Sequence, residues 1–180
     1  LEEEKIADKS QLNVVPYRQK TRLGKVDVEF LKVTHSIPDS AAIALHTPYG
    51  TLLHTGDFKF DLTPVNEDPA DFQRLAELSS EGNGVLAIIA DSTNASKPGH
   101  SKSEGDISET LHKLIADAEG RVIVSTFSSL LNRIQQVTEH AKKYNRKVFV
   151  SGRSMVTNIE IAQNLGYIKA PRGMIRKVGP

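Results

Sequence analysis

The sequence predicts an α/β protein in two halves, the first mainly antiparallel β and the second an alternation of strands and helices. Two observations carry this. From about Leu12 to Thr63 the chain alternates as half-buried strands do, with Val26, Val28 and Phe30 on one side and Asp27 and Glu29 on the other. From Val85 onward, short apolar runs take turns with stretches of helical period, the pattern of βαβ units on a parallel sheet.

Taken in order, Ile43–His46 and Thr51–His54 flank Thr47-Pro48-Tyr49-Gly50, which reads as a hairpin turn. After Pro64 the character changes. Asp71 to Ser80 is helical, with Phe72, Leu75, Ala76 and Leu78 on or near one face. Val85 to Ala90 is wholly apolar, as expected of a strand buried on both faces. Ser103 to Ala118 is a helix opened by Ser103, with Asp106 completing an approximate capping box. Arg121 to Thr126 reads as a second buried strand and Leu130 to Tyr144 as a helix, with Leu131, Ile134, Val137 and Ala141 three or four apart. Lys147 to Val150 is a third strand and Val156 to Leu165 a third helix. There is no internal repeat and no low-complexity segment.

Composition narrows the class. The chain has 180 residues, 38% hydrophobic and 25% charged, enough to pack a core and too apolar for disorder. It contains no cysteine, which excludes disulfide scaffolds and thiolate metal sites and fits a reducing, cytoplasmic setting. No apolar run approaches the ~20 residues that span a bilayer, and LEEEKIADKS lacks the pattern of a signal peptide, so no membrane partner is expected. The start at Leu1 and the end at Gly179-Pro180 read as the limits of a piece of a longer protein. A net charge of +1 argues neither for nor against nucleic acid.

The polar residues gather where strands end. His35 follows the run Val26–Val33, and Asp57 follows Thr51–Leu53. Strand ends are rigid and the loops beyond them open, and an imidazole with a carboxylate suits Zn²⁺ or Mn²⁺. One His and one Asp do not by themselves make a site. In the second half Asp91-Ser92-Thr93-Asn94, Thr126-Phe127-Ser128-Ser129 and Ser151-Gly152-Arg153-Ser154 each follow a predicted strand. Ligands of open parallel sheets bind outside the carboxyl ends of strands. Hydroxyl-rich ends that enter helices, with Arg133 and Arg153 near, suit a phosphate-bearing ligand.

The strings THSIPDS, HTGDFKFD, DSTNA, TFSSLLNRIQQ and GRSM, in this order from about Leu12 to Arg172, closely resemble the ribonuclease J family. These are metallo-β-lactamase-fold nucleases with an inserted β-CASP domain. The resemblance implies part of an αββα sandwich over residues 1–66, followed over residues 67–180 by the first part of a β-CASP domain, a parallel sheet flanked by helices. It implies that His35 is a ligand of one metal, that Asp57 bridges two, and that Asp91 opens the β-CASP motif set with a catalytic or metal-orienting role. It implies an RNA path along Ser128, Ser129 and Arg133, to which Arg153 and Ser154 add the phosphate contacts expected from the strand ends. It also implies Zn²⁺, with two ions in the complete enzyme and Mn²⁺ as the substitute, and a homo-oligomer acting on single-stranded RNA as a 5′-to-3′ exonuclease and endonuclease. The family's His-x-His-x-Asp-His motif and its downstream β-CASP histidines are absent, and Leu130 stands where Asn is expected. With two of the metal ligands, the isolated chain is expected to be inactive. The rivals are another β-CASP nuclease acting on RNA 3′ ends or DNA, and a non-catalytic RNA-binding module. Asp39 reads as an orienting residue, His46 and His54 as structural or solvated, and His100 and His112 have no assigned role.

Overall fold

The computed structural model describes residues 11–178. The N-terminal segment judged above for targeting, and the terminal Gly179-Pro180, lie outside the described residues. Among the described residues the architecture is mixed α/β: a five-stranded sheet, a smaller two-stranded sheet and four helices.

Strands β1 (Lys20–Leu23), β2 (Val26–Lys32), β3 (Ala41–Thr47), β4 (Gly50–His54) and β5 (Val85–Ile89) form the larger sheet in chain order. The first four are antiparallel, and β5 pairs parallel to β4. Helix α1 (Phe72–Leu78) makes the crossover between β4 and β5. The β3–β4 hairpin closes over Pro48 and Tyr49, with Thr47 opposite Gly50. The Thr47 hydroxyl donates to Gly50 O at 2.7 Å and accepts from Tyr49 N at 3.2 Å.

Directly paired residues share a face. Leu31, Val33, Ala42, Ala44 and Leu53 therefore meet on one side, where Leu78 and Leu75 of α1 cover them. This corrects the polarity expected for β2. Glu29 lies on the covered side and is 0% exposed. Alternation alone marks Asp27 and Glu29 as outward, but α1 brings Arg74 to that face. Arg74 donates through Nε to Glu29 Oε1 at 2.7 Å and through a terminal nitrogen to Oε2 at 2.9 Å. His46 Nε2 lies 2.8 Å from Glu29 Oε2, so its role is structural.

Helices α2 (Glu104–Asp117), α3 (Leu131–Lys143) and α4 (Arg153–Asn164) follow, with β6 (Val148–Val150) and β7 (Ile175–Lys177) paired in parallel across α4. Ile134, Val150, Ile159, Ala162 and Ile168 form a second core here. The Ser103 side chain caps α2 by accepting from Gly105 N at 3.0 Å, two residues on and not from Asp106. Between α2 and α3, His112 Nε2 sits 3.1 Å from Tyr144 Oη.

Two strand expectations change. Residues 121–126 form no strand, and Ile123 is 86% exposed. Their β propensity, on a scale spanning about 1 kcal/mol, does not hold an extended segment that has no neighbour to receive its backbone bonds. Residues 85–89 do form a strand, but at the sheet's edge beside β4, with Leu86, Ile88 and Ile89 exposed instead of buried on both faces. The parallel pairing of the second half is thus divided between β4–β5 and β6–β7, and β7 carried no sequence signal that we read.

Candidate metal and phosphodiester site

Strands β2, β4 and β5 run in one direction, because β3 is antiparallel to both β2 and β4 while β5 is parallel to β4. His35, Asp57 and Asp91 follow the carboxyl ends of these three strands, and all three line one cleft of about 690 Å³. That is the end of an α/β sheet where loops diverge and ligands bind.

Backbone bonds bring the first two together. Lys59 N donates to Thr34 O at 2.8 Å, and the Thr34 hydroxyl donates back to Lys59 O. This bridge fixes the residue before His35 against the second residue after Asp57. His35 Nε2 and Asp57 Oδ2 lie 3.8 Å apart, the histidine side chain 33% exposed and the aspartate 80%. Two donors each about 2.0–2.2 Å from one ion stand roughly 3.4 Å apart at a tetrahedral angle, so the pair fits a shared cation with slight closure. Among the described residues, no group of three or more His, Asp or Glu side chains gathers into a metal-holding cluster. The pair offers two donors, where a tetrahedral zinc site takes four.

The turn between β4 and Asp57 depends on Gly56. Its φ is +61°, and a Cβ there would lie 2.8 Å from Ala41 O. Thr55 joins this turn to the third site residue: Thr55 N donates to Ile89 O at 3.0 Å, and its hydroxyl accepts from Asp91 N at 3.0 Å. Asp91 Oδ1 in turn accepts from Thr93 N at 2.8 Å. The Asp91 carboxyl is held below the usual range, first by the Thr93 backbone and side chain, then by the Phe58 backbone and the charge of His35.

The residues expected along a phosphate path stand apart from this cleft lining, in which only their neighbour Leu130 appears. Ser128 accepts from Asn158 Nδ2 through its carbonyl at 3.1 Å and its hydroxyl at 3.2 Å. Ser129 is exposed just before α3, and Arg153 and Ser154 are exposed in the first turn of α4. Gly152, at φ +98°, leaves that helix N-terminus without a side-chain cap. Arg133 is committed elsewhere: its Nε and a terminal nitrogen donate to Glu104 Oε2 at 3.2 and 2.9 Å.

Sequence reasoning missed His100, Glu67 and Glu104, which also line the cleft. Nothing in a basic loop (Lys97–Lys102) or a helix start announces that folding brings them to His35. The Glu67 side chain is 8% exposed, and this partial burial pushes its carboxyl up despite Lys32, whose Nζ lies 3.6 Å away.

In shape, the chain matches a crystal structure of an Enterococcus faecalis V583 protein of unknown function, with a TM-score of 0.61 at 16% identity, over 93% of this chain and 41% of that one. That likeness concerns the fold. In sequence, the family model described as ribonuclease J, beta-CASP domain, matches residues 119–179. Ribonuclease J of Helicobacter pylori (strain J99) is 45% identical over 91% of this chain and 23% of its own length. Ribonuclease J of a Synechocystis species is 44% identical over 95% of this chain and 27% of its own. Ribonuclease J of Corynebacterium glutamicum is 47% identical over 84% and 21%. Over most of its length the chain is thus similar in sequence to proteins named ribonuclease J, and residues 119–179 match the beta-CASP domain model of that family. It spans about a quarter of the length of these relatives.

Proposed function

We propose that this chain is a segment of a metal-dependent ribonuclease that hydrolyses RNA phosphodiester bonds, as a 5′-to-3′ exonuclease and endonuclease, in RNA maturation and decay. The observation that carries it is the 3.8 Å approach of His35 Nε2 to Asp57 Oδ2 in a cleft that Asp91 also lines. The domain boundary is proposed near residue 66, with residues 67–180 as the first part of the β-CASP domain.

His35 and Asp57 would hold Zn²⁺, or Mn²⁺ in its place, with Asp57 shared between two ions and the remaining ligands drawn from outside this chain. Such cations, when bound, would supply a water of lowered pKa and offset charge at the attacked phosphorus. The Thr34–Lys59 bridge sets the spacing of the two ligands, and the Gly56 turn aims Asp57 into the cleft. Asp91, anionic at neutral pH and pinned by Thr55 and Thr93, orients the ligand shell or accepts a proton there. Exposed Ser129, Arg153 and Ser154 would meet the RNA backbone, helped by the unpaired N–H groups that open α4. Ser128 and Arg133, whose polar groups are engaged by Asn158 and Glu104, would shape that path. Backbone-dominated contact predicts weak sequence selectivity for single-stranded RNA. The setting proposed is the cytoplasm, as a homo-oligomer of the full-length protein; no helix among the described residues is long and apolar enough to cross a membrane.

The test uses the full-length protein with Mn²⁺ or Zn²⁺ and single-stranded RNA labelled at either end. Shortening that starts at the 5′ end, together with internal cuts, is expected. Shortening from the 3′ end, or action on DNA alone, would favour a different β-CASP nuclease. Binding without cleavage would favour an RNA-binding module.

A further inference from the structure

Each loop that carries a candidate ligand is clasped by a contact from the second half. In the His35 loop, the Tyr167 hydroxyl, beyond α4, donates to Asp39, which sits at φ +57°. In the Asp57 loop the clasp is Glu104, the first residue of α2. Lys59 Nζ lies 3.1 Å from Glu104 Oε1 and 3.3 Å from Asp61 Oδ2. Asp61 Oδ2 accepts from Glu104 N at 2.8 Å, so the loop also caps the helix. From the other side α3 delivers the Arg133 fork and Gln136 Nε2, the latter 3.3 Å from Glu104 Oε2. The Glu104 and Arg133 side chains are 17% and 20% exposed, so this ion pair is largely shielded from solvent.

We propose that Glu104 is a positioning residue of the nuclease site: it ties the Asp57 loop, through Lys59 and Asp61, to the Arg133 face of α3. This rests on the nuclease reading above. Glu104 lines the cleft but is no ligand, since both its oxygens are occupied by Lys59, Arg133 and Gln136. Its single negative charge separates two cations. Replaced by an isosteric amide, it would leave Lys59 paired with Asp61 of its own loop alone and Arg133 without its anion, so that no ion pair ties the loop to α2 and α3. Lys59 would then withdraw, and with it the backbone that pairs with Thr34 beside His35. Burial pushes the Glu104 carboxyl up, but the Arg133 and Lys59 hydrogen bonds outweigh it and hold it on balance below its usual range, in keeping with a charged clasp at neutral pH.

The experiment uses the full-length protein and has two readouts. The first is amide hydrogen exchange without added metal. In Glu104→Gln the Lys59 and Asp61 amides should exchange about tenfold faster or more, while the β2–β3 amides stay unchanged. The second is single-turnover RNA cleavage with metal. Misplacement near a reacting centre costs up to about 100-fold. Glu104→Gln should therefore lower the rate at saturating RNA by about 10- to 100-fold, with RNA affinity within about threefold of wild type. Arg133→Met should have a smaller effect of the same kind, and the double variant should be no slower than Glu104→Gln alone. Unchanged loop exchange would overturn the proposal. So would equal acceleration in β2–β3, which would mean general loosening, or multiplicative single-variant effects, which would mean independent roles. If wild-type protein cleaves no RNA, the nuclease reading fails while the exchange arm still decides whether Glu104 holds the loop.

Discussion

Removing Arg74 is the sharpest test of how the first half is held together. Arg74→Met keeps the stem that packs along α1 and deletes the fork. Glu29, with its side chain 1% exposed, would keep only His46 Nε2 at 2.8 Å. Breaking a buried pair from one side costs about 3–5 kcal/mol, because the remaining charge stays buried. With His46 still in place the lower end applies, about 3 kcal/mol. At about 2–4 °C per kcal/mol for a chain of this size, the melting temperature should fall by roughly 6–12 °C. Urea titration of the 180-residue chain by circular dichroism measures the loss. The double variant Glu29→Leu/Arg74→Met removes both charges and should recover most of it, since replacing a whole buried pair with apolar groups is often neutral. A loss under about 1 kcal/mol for Arg74→Met, or no recovery in the double variant, would refute the account of Glu29 as a buried charge sustained by α1.

Gly56→Ala places a Cβ 2.8 Å from Ala41 O at φ +61°. It should cost at least about 2 kcal/mol by urea titration, from left-handed strain plus the clash, and the full-length enzyme should lose activity more than RNA affinity. The isolated chain should hydrolyse no RNA above background and bind Zn²⁺ or Mn²⁺ weakly; calorimetry showing two ions at submicromolar affinity would mean that residues here complete the site. Acid should weaken the fold. Hydrogen bonds from Arg18 and Lys20 lead in holding down Asp71 and Glu81, the latter to about 2, while in Glu29 and Asp61 partners outweigh the upward push of burial. Folded values below unfolded ones give a contribution complete above about pH 4.5 and lost as pH falls towards 2, partly offset by Glu67, whose raised carboxyl acts with the opposite sign. A stability profile flat across that window would contradict this.

The elements legible in the sequence are those whose signal is local. The β3–β4 hairpin, α1, α2 and α3 follow from turn chemistry and from apolar spacing that nearby packing satisfies. The approach of His35 to Asp57 in one cleft was legible because each follows a strand inside a specific string. What stayed illegible depends on neighbours. Glu29 reads as a solvent-facing residue until α1 supplies Arg74, and Arg121–Thr126 reads as a strand although no described strand lies beside it. Glu104 reads as an ordinary first-turn acid. Its place between Lys59 and Arg133 is set by contacts across 45 and 29 residues of chain, which no periodicity encodes.

The central claim is that His35 and Asp57 are brought together to hold catalytic metal. The most direct measurement is the single-turnover rate of RNA cleavage by the full-length protein, wild type against Asp57→Ala, at saturating RNA and metal. Loss of the ligand expected to serve both ions should reduce cleavage to background while RNA still binds. A near-normal rate for Asp57→Ala would contradict the account.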